Sequence, residues 1–267
     1  MVRDRVHAHP RLANVTMTYD DVGSGSPVLL LHSGVCDRRM WRGQVDVLER
    51  SHRVIAPDLA GFGDTPLTPG PVSYADELAS LLDHLGLNQV AVVGSSFGGR
   101  VALELTDLHP DRVGTLVLLC GAYGGVDPTP TADAFEEEEE RLLEAGDLDG
   151  AVALNVATWV GPDADDGARE LVRVMQRQAF DIQIPADEWE DPPSLVKIDP
   201  DLSAIKVPTY VVLGGQDMDH FQNIARHLAA EIPDAHLVEL GWAGHLPALE
   251  RPAETAALLM GFLADPD

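Results

Sequence analysis

The chain has 267 residues, 45 % of them apolar, enough for one sizeable core plus an insertion and too few for an assembly of several domains. The same composition excludes collagen-like, disordered and small disulfide-scaffold classes. Lys and Arg number 18 against 44 Asp and Glu, a net charge of −26, so binding to nucleic acid or to an anionic membrane is disfavoured and the excess reads as a strongly solvated surface.

Residues 12–22 read as an edge strand or a hairpin that feeds the turn Gly23-Ser24-Gly25-Ser26-Pro27. Short apolar runs bounded by turn residues follow at 28–31, 54–56, 90–93, 116–119, 210–213 and 236–240. Four of them show almost no polar alternation, as strands covered on both faces of a parallel sheet do. Helical patterns lie between. Leu78, Leu81, Leu82 and Leu85 fall at i, i+3, i+4 and i+7, with Ser73 and Asp76 as a start signal and Gly86 as a stop. A last helix opens at Pro252 and sets Ala256, Leu259, Met260 and Leu263 on one stripe. This alternation defines an α/β doubly wound class.

From about Gly121 to Ile205 the strand-like runs vanish, which divides the chain into a core of 1–120, an all-helical insertion of 121–205 and a second core part of 206–267. Three helices are expected in the insertion. One runs from near Thr131 to Leu143, ending at Gly146; one covers residues 148–160; one sets Ala168, Leu171, Val172, Met175 and Ala179 on a single face. Such an insertion would sit over the carboxyl ends of the strands, where α/β folds keep their sites. The five glutamates 136–140 read as a solvated helix face.

Cys36 and Cys120 form no disulfide framework, and neither has a second Cys or a His at metal-ligand spacing, so no metal and no cofactor is expected and a reduced cytoplasm fits best. Met1 to His7 mix charges without an apolar stretch, and no later run approaches the ~18 consecutive apolar residues of a membrane span, so neither export nor a span is expected.

Gly94-Ser95-Ser96-Phe97-Gly98-Gly99 follows the 90–93 strand directly and precedes a helical stretch. This is the strand, sharp turn, helix context of a G-x-S-x-G nucleophile elbow, with Gly94, Ser96 and Gly98 in register. A serine at so tight a turn is strained, and bulk at the flanking positions would clash. Such a serine needs a base and a carboxylate from the ends of later strands. Of ten histidines, His7, His9, His52, His84, His109, His227 and His236 read as surface or capping residues, and His32 as a structural hydrogen-bonding group. His245, in the loop Gly241-Trp242-Ala243-Gly244-His245, is the expected base, with His220 the alternative. Asp217, in the turn after the 210–213 strand, is the expected carboxylate, with Asp219 behind it. The order Ser96, Asp217, His245 is that of α/β-hydrolases.

The chain resembles the α/β-hydrolase superfamily along essentially its whole length, through Leu30-Leu31-His32-Ser33-Gly34, the stretch from Arg53 to Gly63, Gly94 to Gly99, Gly214 to Asp217, and Gly244-His245 followed by Glu250-Arg251-Pro252. Within it the chain is similar to small capped enzymes that include 3-oxoadipate enol-lactonases and carboxylic-ester hydrolases. The family often has His-Gly where this chain has His32-Ser33. The resemblance assigns one oxyanion donor to the backbone of Gly34, with Val35 left open by the shift, and the other to the N–H of Phe97. The implied function is hydrolysis of a small-molecule ester or lactone through an acyl-enzyme, by a monomer or homodimer, with activity lost as the imidazole protonates. Expected substrate contacts are Val35, Trp159, Met175, Met218 and Leu246, with Phe180 and Trp189 as further apolar candidates. Two other readings stay open: non-hydrolytic chemistry on the same scaffold, such as carbon–carbon cleavage, a lyase or a cyclase, and a non-catalytic receptor.

Overall fold

The computed structural model describes residues 17–264; the expectations for Met1 to His7, for His9 and for residues 12–16 fall outside the described residues. Its strands are β1 (Tyr19–Gly23), β2 (Ser26–Leu31), β3 (His52–Pro57), β4 (Pro71–Val72), β5 (Val90–Ser95), β6 (Val113–Leu119), β7 (Ser194–Leu195), β8 (Thr209–Gly214) and β9 (Ala235–Leu240). Its helices are α1 (Arg42–Leu48), α2 (Tyr74–His84), α3 (Phe97–Leu108), α4 (Pro130–Glu144), α5 (Leu148–Trp159), α6 (Asp166–Ala186), α7 (Asp219–Glu231), α8 (Pro247–Glu250) and α9 (Pro252–Phe262). Seven strands form one sheet in the order β1-β3-β2-β5-β6-β8-β9. All its pairings are parallel except β1 with β3, so β1 is an antiparallel edge strand and makes no hairpin with β2.

The near-continuous apolar runs follow from burial on both faces. Leu29, Leu31, Ile55, Val92, Leu116, Leu118, Val211 and Leu213 share one cluster with residues of α2, α3 and α7. Their neighbours Val28, Leu30, Val54, Ala56, Val93, Val117, Leu119 and Val212 share another with Val45 and Leu48 of α1 and Leu259 of α9. With a side-chain period of two, only a strand covered on both sides needs apolar residues at consecutive positions. His52, expected as a surface or capping residue, is buried at the start of β3, its Nδ1 2.9 Å from Ser51 Oγ.

Helices α4, α5 and α6 occupy the stretch between β6 and β8, opened by caps at Thr129, Asp147 and Asp165. The stretch is not all-helical. Ser194–Leu195 pairs in parallel with Pro71–Val72, and Ser194 and Val196 donate to Gly70 and Val72 carbonyls at 3.0 and 2.9 Å. Two residues held by backbone bonds alone leave no hydrophobic period to read.

The chain leaves β3 and crosses β2 to form β5, so the strand order reverses between β2 and β5. A crevice forms at the carboxyl ends of strands on either side of such a reversal. The β2–β5 register, Leu31 opposite Gly94, sets the residues after each strand side by side there.

Glu77 of α2 carries a separate cost. Its Oε2 is buried with no hydrogen-bond partner among the described residues, and burial raises its carboxyl from 4.5 to about 7. The folded chain thus holds this proton more tightly than the unfolded chain, so the associated stability is complete below pH 4.5 and is lost as the pH rises through 7. Glu77→Gln is expected to raise the melting temperature at pH 8 by about 2 °C or more and to leave it unchanged at pH 4, as thermal melts at both pH values will test.

Candidate active site

Ser96 sits between β5 and α3 with φ 49° and ψ −114°, a backbone conformation that non-glycine residues rarely adopt. The surrounding glycines make it possible. A Cβ on Gly94 would lie 2.3 Å from the Gly98 carbonyl oxygen, and one on Gly98 would lie 2.3 Å from the Leu31 oxygen. Donation from Ser96 N–H to Leu119 O at 3.0 Å and from Ala122 N–H to Ser96 O at 2.9 Å holds the turn against the end of β6.

Adjacent parallel strands deliver the other two groups. Asp217 follows β8 and His245 follows β9; Gly214 pairs with Leu240, and Gln216 N–H donates to Ala243 O at 2.8 Å. His245 Nδ1 lies 2.8 Å from Asp217 Oδ2, and its Nε2 lies 2.8 Å from Ser96 Oγ. All three residues are buried. Asp217 Oδ1 also accepts the Met218 N–H at 2.7 Å. The alternatives stand elsewhere: Asp219 is exposed and accepts from Thr129 Oγ1 at 2.7 Å, and the His220 ring packs on Phe221 with no hydrogen bond to Ser96 or Asp217 among the described residues.

Phe97 opens α3, so its N–H has no carbonyl within the helix and stands beside Ser96. Opposite it, Ser33, Gly34, Val35 and Cys36 form a turn closed by Cys36 N–H to Ser33 O at 3.0 Å. A Cβ on Gly34 would lie 3.4 Å from Phe97 Cβ, so the two backbones are close neighbours. His32 anchors this turn. The Leu59 N–H donates to its Nε2 at 3.0 Å, which leaves Nδ1–H to donate to Ser33 O at 2.9 Å, and burial pushes the ring toward its neutral form.

A cavity of about 150 Å³ opens at this point, lined by Ser33, Gly34, Val35, Ser96, Trp159, Phe221 and His245. Val35 and Trp159, two of the expected substrate contacts, both line this cavity. Met218 lines a neighbouring cavity of about 260 Å³ that shares Trp159 and Phe221 with the first. Met175 and Leu246, expected as substrate contacts, line neither; both are buried in the cluster that also holds Trp41, Leu48 and Leu259. The helical stripe on which Met175 lies is the packing face of α6. Phe180 joins the same cluster, and Trp189 is 39 % exposed beyond α6. Sequence reasoning missed Phe221, whose ring meets the His245 ring at 4.2 Å and the Trp159 ring at 5.4 Å. Its position one helical turn after Asp217, on the helix leaving that turn, was the available signal.

Two more ionisable groups border His245. Glu250 of α8 is buried and accepts the N–H groups of Gly244 at 2.8 Å and Leu246 at 3.0 Å. Cys120, after β6, has φ 47°, and one ligand atom each from Cys120, Asp217 and His245 lie within 4.8 Å of one another. As a metal centre this set fits poorly. Asp217 and His245 engage each other, while burial and then the Asp217 charge push the Cys120 thiol up and disfavour the thiolate a metal needs.

A doubly wound sheet with a serine on a strained elbow and an imidazole–carboxylate pair beside it defines the class of α/β-hydrolases. A profile of the Alpha/beta hydrolase family matches residues 28–258, and the chain belongs to that family. It is 30 % identical over 270 residues to the 2-hydroxymuconate semialdehyde hydrolase of Pseudomonas sp. (strain CF600), covering 96 % of this chain and 93 % of that one. It is 32 % identical to the 2-hydroxy-6-oxo-2,4-heptadienoate hydrolase of Pseudomonas putida (strain F1), covering 92 % of each chain. Among solved structures it is similar to Est816, described as an N-acyl homoserine lactone degrading enzyme, with a TM-score of 0.77 and 26 % identity over 96 % of this chain and 100 % of that one.

The glycine contacts predict a sharp contrast. Gly98→Ala forces a Cβ against two backbone oxygens, Leu31 O and His32 O, and is expected to cost about 3 kcal/mol or more. Gly241→Ala, with nothing within 4 Å of the added carbon, is expected to be tolerated. Denaturant melts of the two variants check this.

Proposed function

We propose that the protein hydrolyses a small, uncharged carboxylic ester or lactone through an acyl-enzyme on Ser96. The observation that carries this reading is the continuous hydrogen-bond chain from Ser96 Oγ through His245 to Asp217, each link 2.8 Å. Ser96 Oγ attacks the carbonyl carbon as its proton passes to His245 Nε2; Asp217 stays ionised and stabilises the imidazolium. The oxyanion forms against the N–H of Phe97 and that of Gly34, with the Val35 N–H in the same turn as the alternative donor. The tetrahedral intermediate expels the alcohol, which takes the proton from His245. Water then attacks the acyl carbon with His245 as base, and release of the acid restores Ser96.

The cavity supports an uncharged substrate. No Lys or Arg is among the residues lining it, whereas the neighbouring cavity carries Arg100 and Glu136, so an anionic group beside Ser96 itself would be desolvated without a counter-charge, in a chain already at −26. Its volume, about 150 Å³, suits a small acyl group with the bulk of a benzene-sized ligand of about six heavy atoms. We read residues 121–205 as a cap between the two core parts, 1–120 and 206–267: Trp159, the last residue of α5, packs on the His245 ring at 4.7 Å and is fixed by its Nε1–H bond to Asn155 at 3.0 Å. A second reading, hydrolysis of a carbon–carbon bond in a dienoate, is favoured by similarity to the two Pseudomonas hydrolases.

Wild-type protein is expected to hydrolyse p-nitrophenyl acetate and to take up a serine-directed phosphonate at Ser96 by mass spectrometry. Ser96→Ala should lose the label and on the order of 10⁶ in kcat. Turnover of a hydroxy-oxo-dienoate with no ester hydrolysis would favour the second reading. Across p-nitrophenyl esters, rates are expected to fall steeply beyond an acyl chain of about six heavy atoms. Phe221→Ala, which removes part of the wall shared with the 260 Å³ cavity, should move that cutoff to longer chains.

A further inference from the structure

We infer that Glu250 is a positioning residue for the His245 imidazole, tying down the backbone on both sides of it and setting a negative charge that favours the imidazolium. The inference rests on the reading of Ser96, His245 and Asp217 as a proton relay. A histidine on a loop has no secondary structure of its own to aim it. Here the residues before and after His245 give their N–H groups to the two oxygens of one carboxylate, Gly244 to Oε2 at 2.8 Å and Leu246 to Oε1 at 3.0 Å. Glu250 also donates its own N–H to Leu246 O at 3.1 Å, which closes the α8 turn back onto the loop.

The space confirms how closely the parts meet. A Cβ on Gly161, between α5 and α6, would lie 2.0 Å from Glu250 Oε2, and one on Gly244 would lie 2.7 Å from Gly161 Cα. The turn that ends α5, one residue beyond Val160 and two beyond Trp159, therefore rests on the same carboxylate that holds the histidine loop. Substrate contact at Trp159 and imidazole position at His245 share one support.

The charges facing Glu250 are Asp217 and His245, with the Cys120 thiol also nearby. Arg169, on the α6 side, donates to Gly161 O at 2.8 Å, and Arg251 pairs with Asp163 at the surface. Burial, the largest influence, raises the Glu250 carboxyl above its ordinary range, while the two N–H bonds and His245 act to lower it. The imidazolium formed in each step of turnover therefore has two acids near it, Asp217 hydrogen-bonded to the ring and Glu250 hydrogen-bonded to the N–H groups of the residues on either side, Gly244 and Leu246.

The test is the pH dependence of kcat and KM for p-nitrophenyl acetate in the wild type, Glu250→Gln, Gly161→Ala and Ser96→Ala, with thermal melts of each. Glu250→Gln keeps the shape, loses the charge and leaves one N–H facing an amide NH2. Its kcat is expected to fall about tenfold, less than the ~10²-fold of a 1 Å misplacement, with KM little changed. Its acid limb should move to lower pH, because a charge favouring the imidazolium is gone. Gly161→Ala keeps the charge but displaces the carboxylate, so kcat should fall with a smaller shift. A folded Glu250→Gln with unchanged kcat and acid limb overturns the inference; should that variant not fold, unchanged kcat in Gly161→Ala does so. An active Ser96→Ala overturns the relay reading and this inference together, whereas an inactive Ser96→Ala beside an unshifted Glu250→Gln overturns this inference alone.

Discussion

A serine held at φ 49° and ψ −114° is the constraint on which the rest of the molecule depends. Such a conformation costs roughly 1–3 kcal/mol and persists only where its surroundings over-determine it. Here the surroundings are backbone. Gly94 and Gly98 bring main chain within van der Waals contact of main chain, and the neighbouring strands β2 and β6 supply the surfaces they meet. Because β5 lies in the middle of a sheet buried on both faces, the turn cannot relax without loosening the packing of two apolar clusters. The strain that exposes the hydroxyl is thus held by the part of the fold least able to give way.

The same rim gathers the ionisable groups. Five consecutive positions across the sheet, at the ends of β2, β5, β6, β8 and β9, present the Gly34 turn, Ser96, Cys120, Asp217 and His245. Buried carboxylates at a site of this kind need donors, and each has them: Asp217 accepts from Met218 and from His245, Glu250 from Gly244 and Leu246. The Cys120 thiol there is held out of ionisation by burial and by the neighbouring Asp217 charge, and the Cys36 thiol in the Gly34 turn by burial and the Asp37 charge. One imidazole with two carboxylates near it is the electrostatic arrangement that results, in a chain of net charge −26 whose cavity lining beside Ser96 holds no Asp, Glu, Lys or Arg.

How legible each feature was follows from the range of the forces behind it. Strands such as 90–93 and 210–213 were readable because burial on both faces imposes apolar residues at consecutive positions, and α2 because a three-to-four residue period and the Ser73 cap are local. The elbow was readable because glycine at 94 and 98 is demanded by contacts that no other residue survives. The pairing of Pro71–Val72 with Ser194–Leu195 was not, since it rests on backbone bonds between segments more than a hundred residues apart. Met175 and Leu246 were misplaced for a related reason: an apolar residue near a site in sequence can face the core as readily as the cavity, and helical spacing marks only which side is buried.

The order of residue types along the chain was therefore sufficient for the α/β architecture and for the family, because periodicity, caps and glycine contacts act over a few neighbouring positions. Folding alone decided which of Asp217 and Asp219 meets the imidazole, which aromatic rings wall the cavity, and that Glu250 braces the loop of His245. Those outcomes depend on distances of 2.8 to 3.0 Å between groups set by strand register and loop closure. No local pattern encodes them, because a one-residue change in register or turn would redirect the side chain without altering the pattern's period.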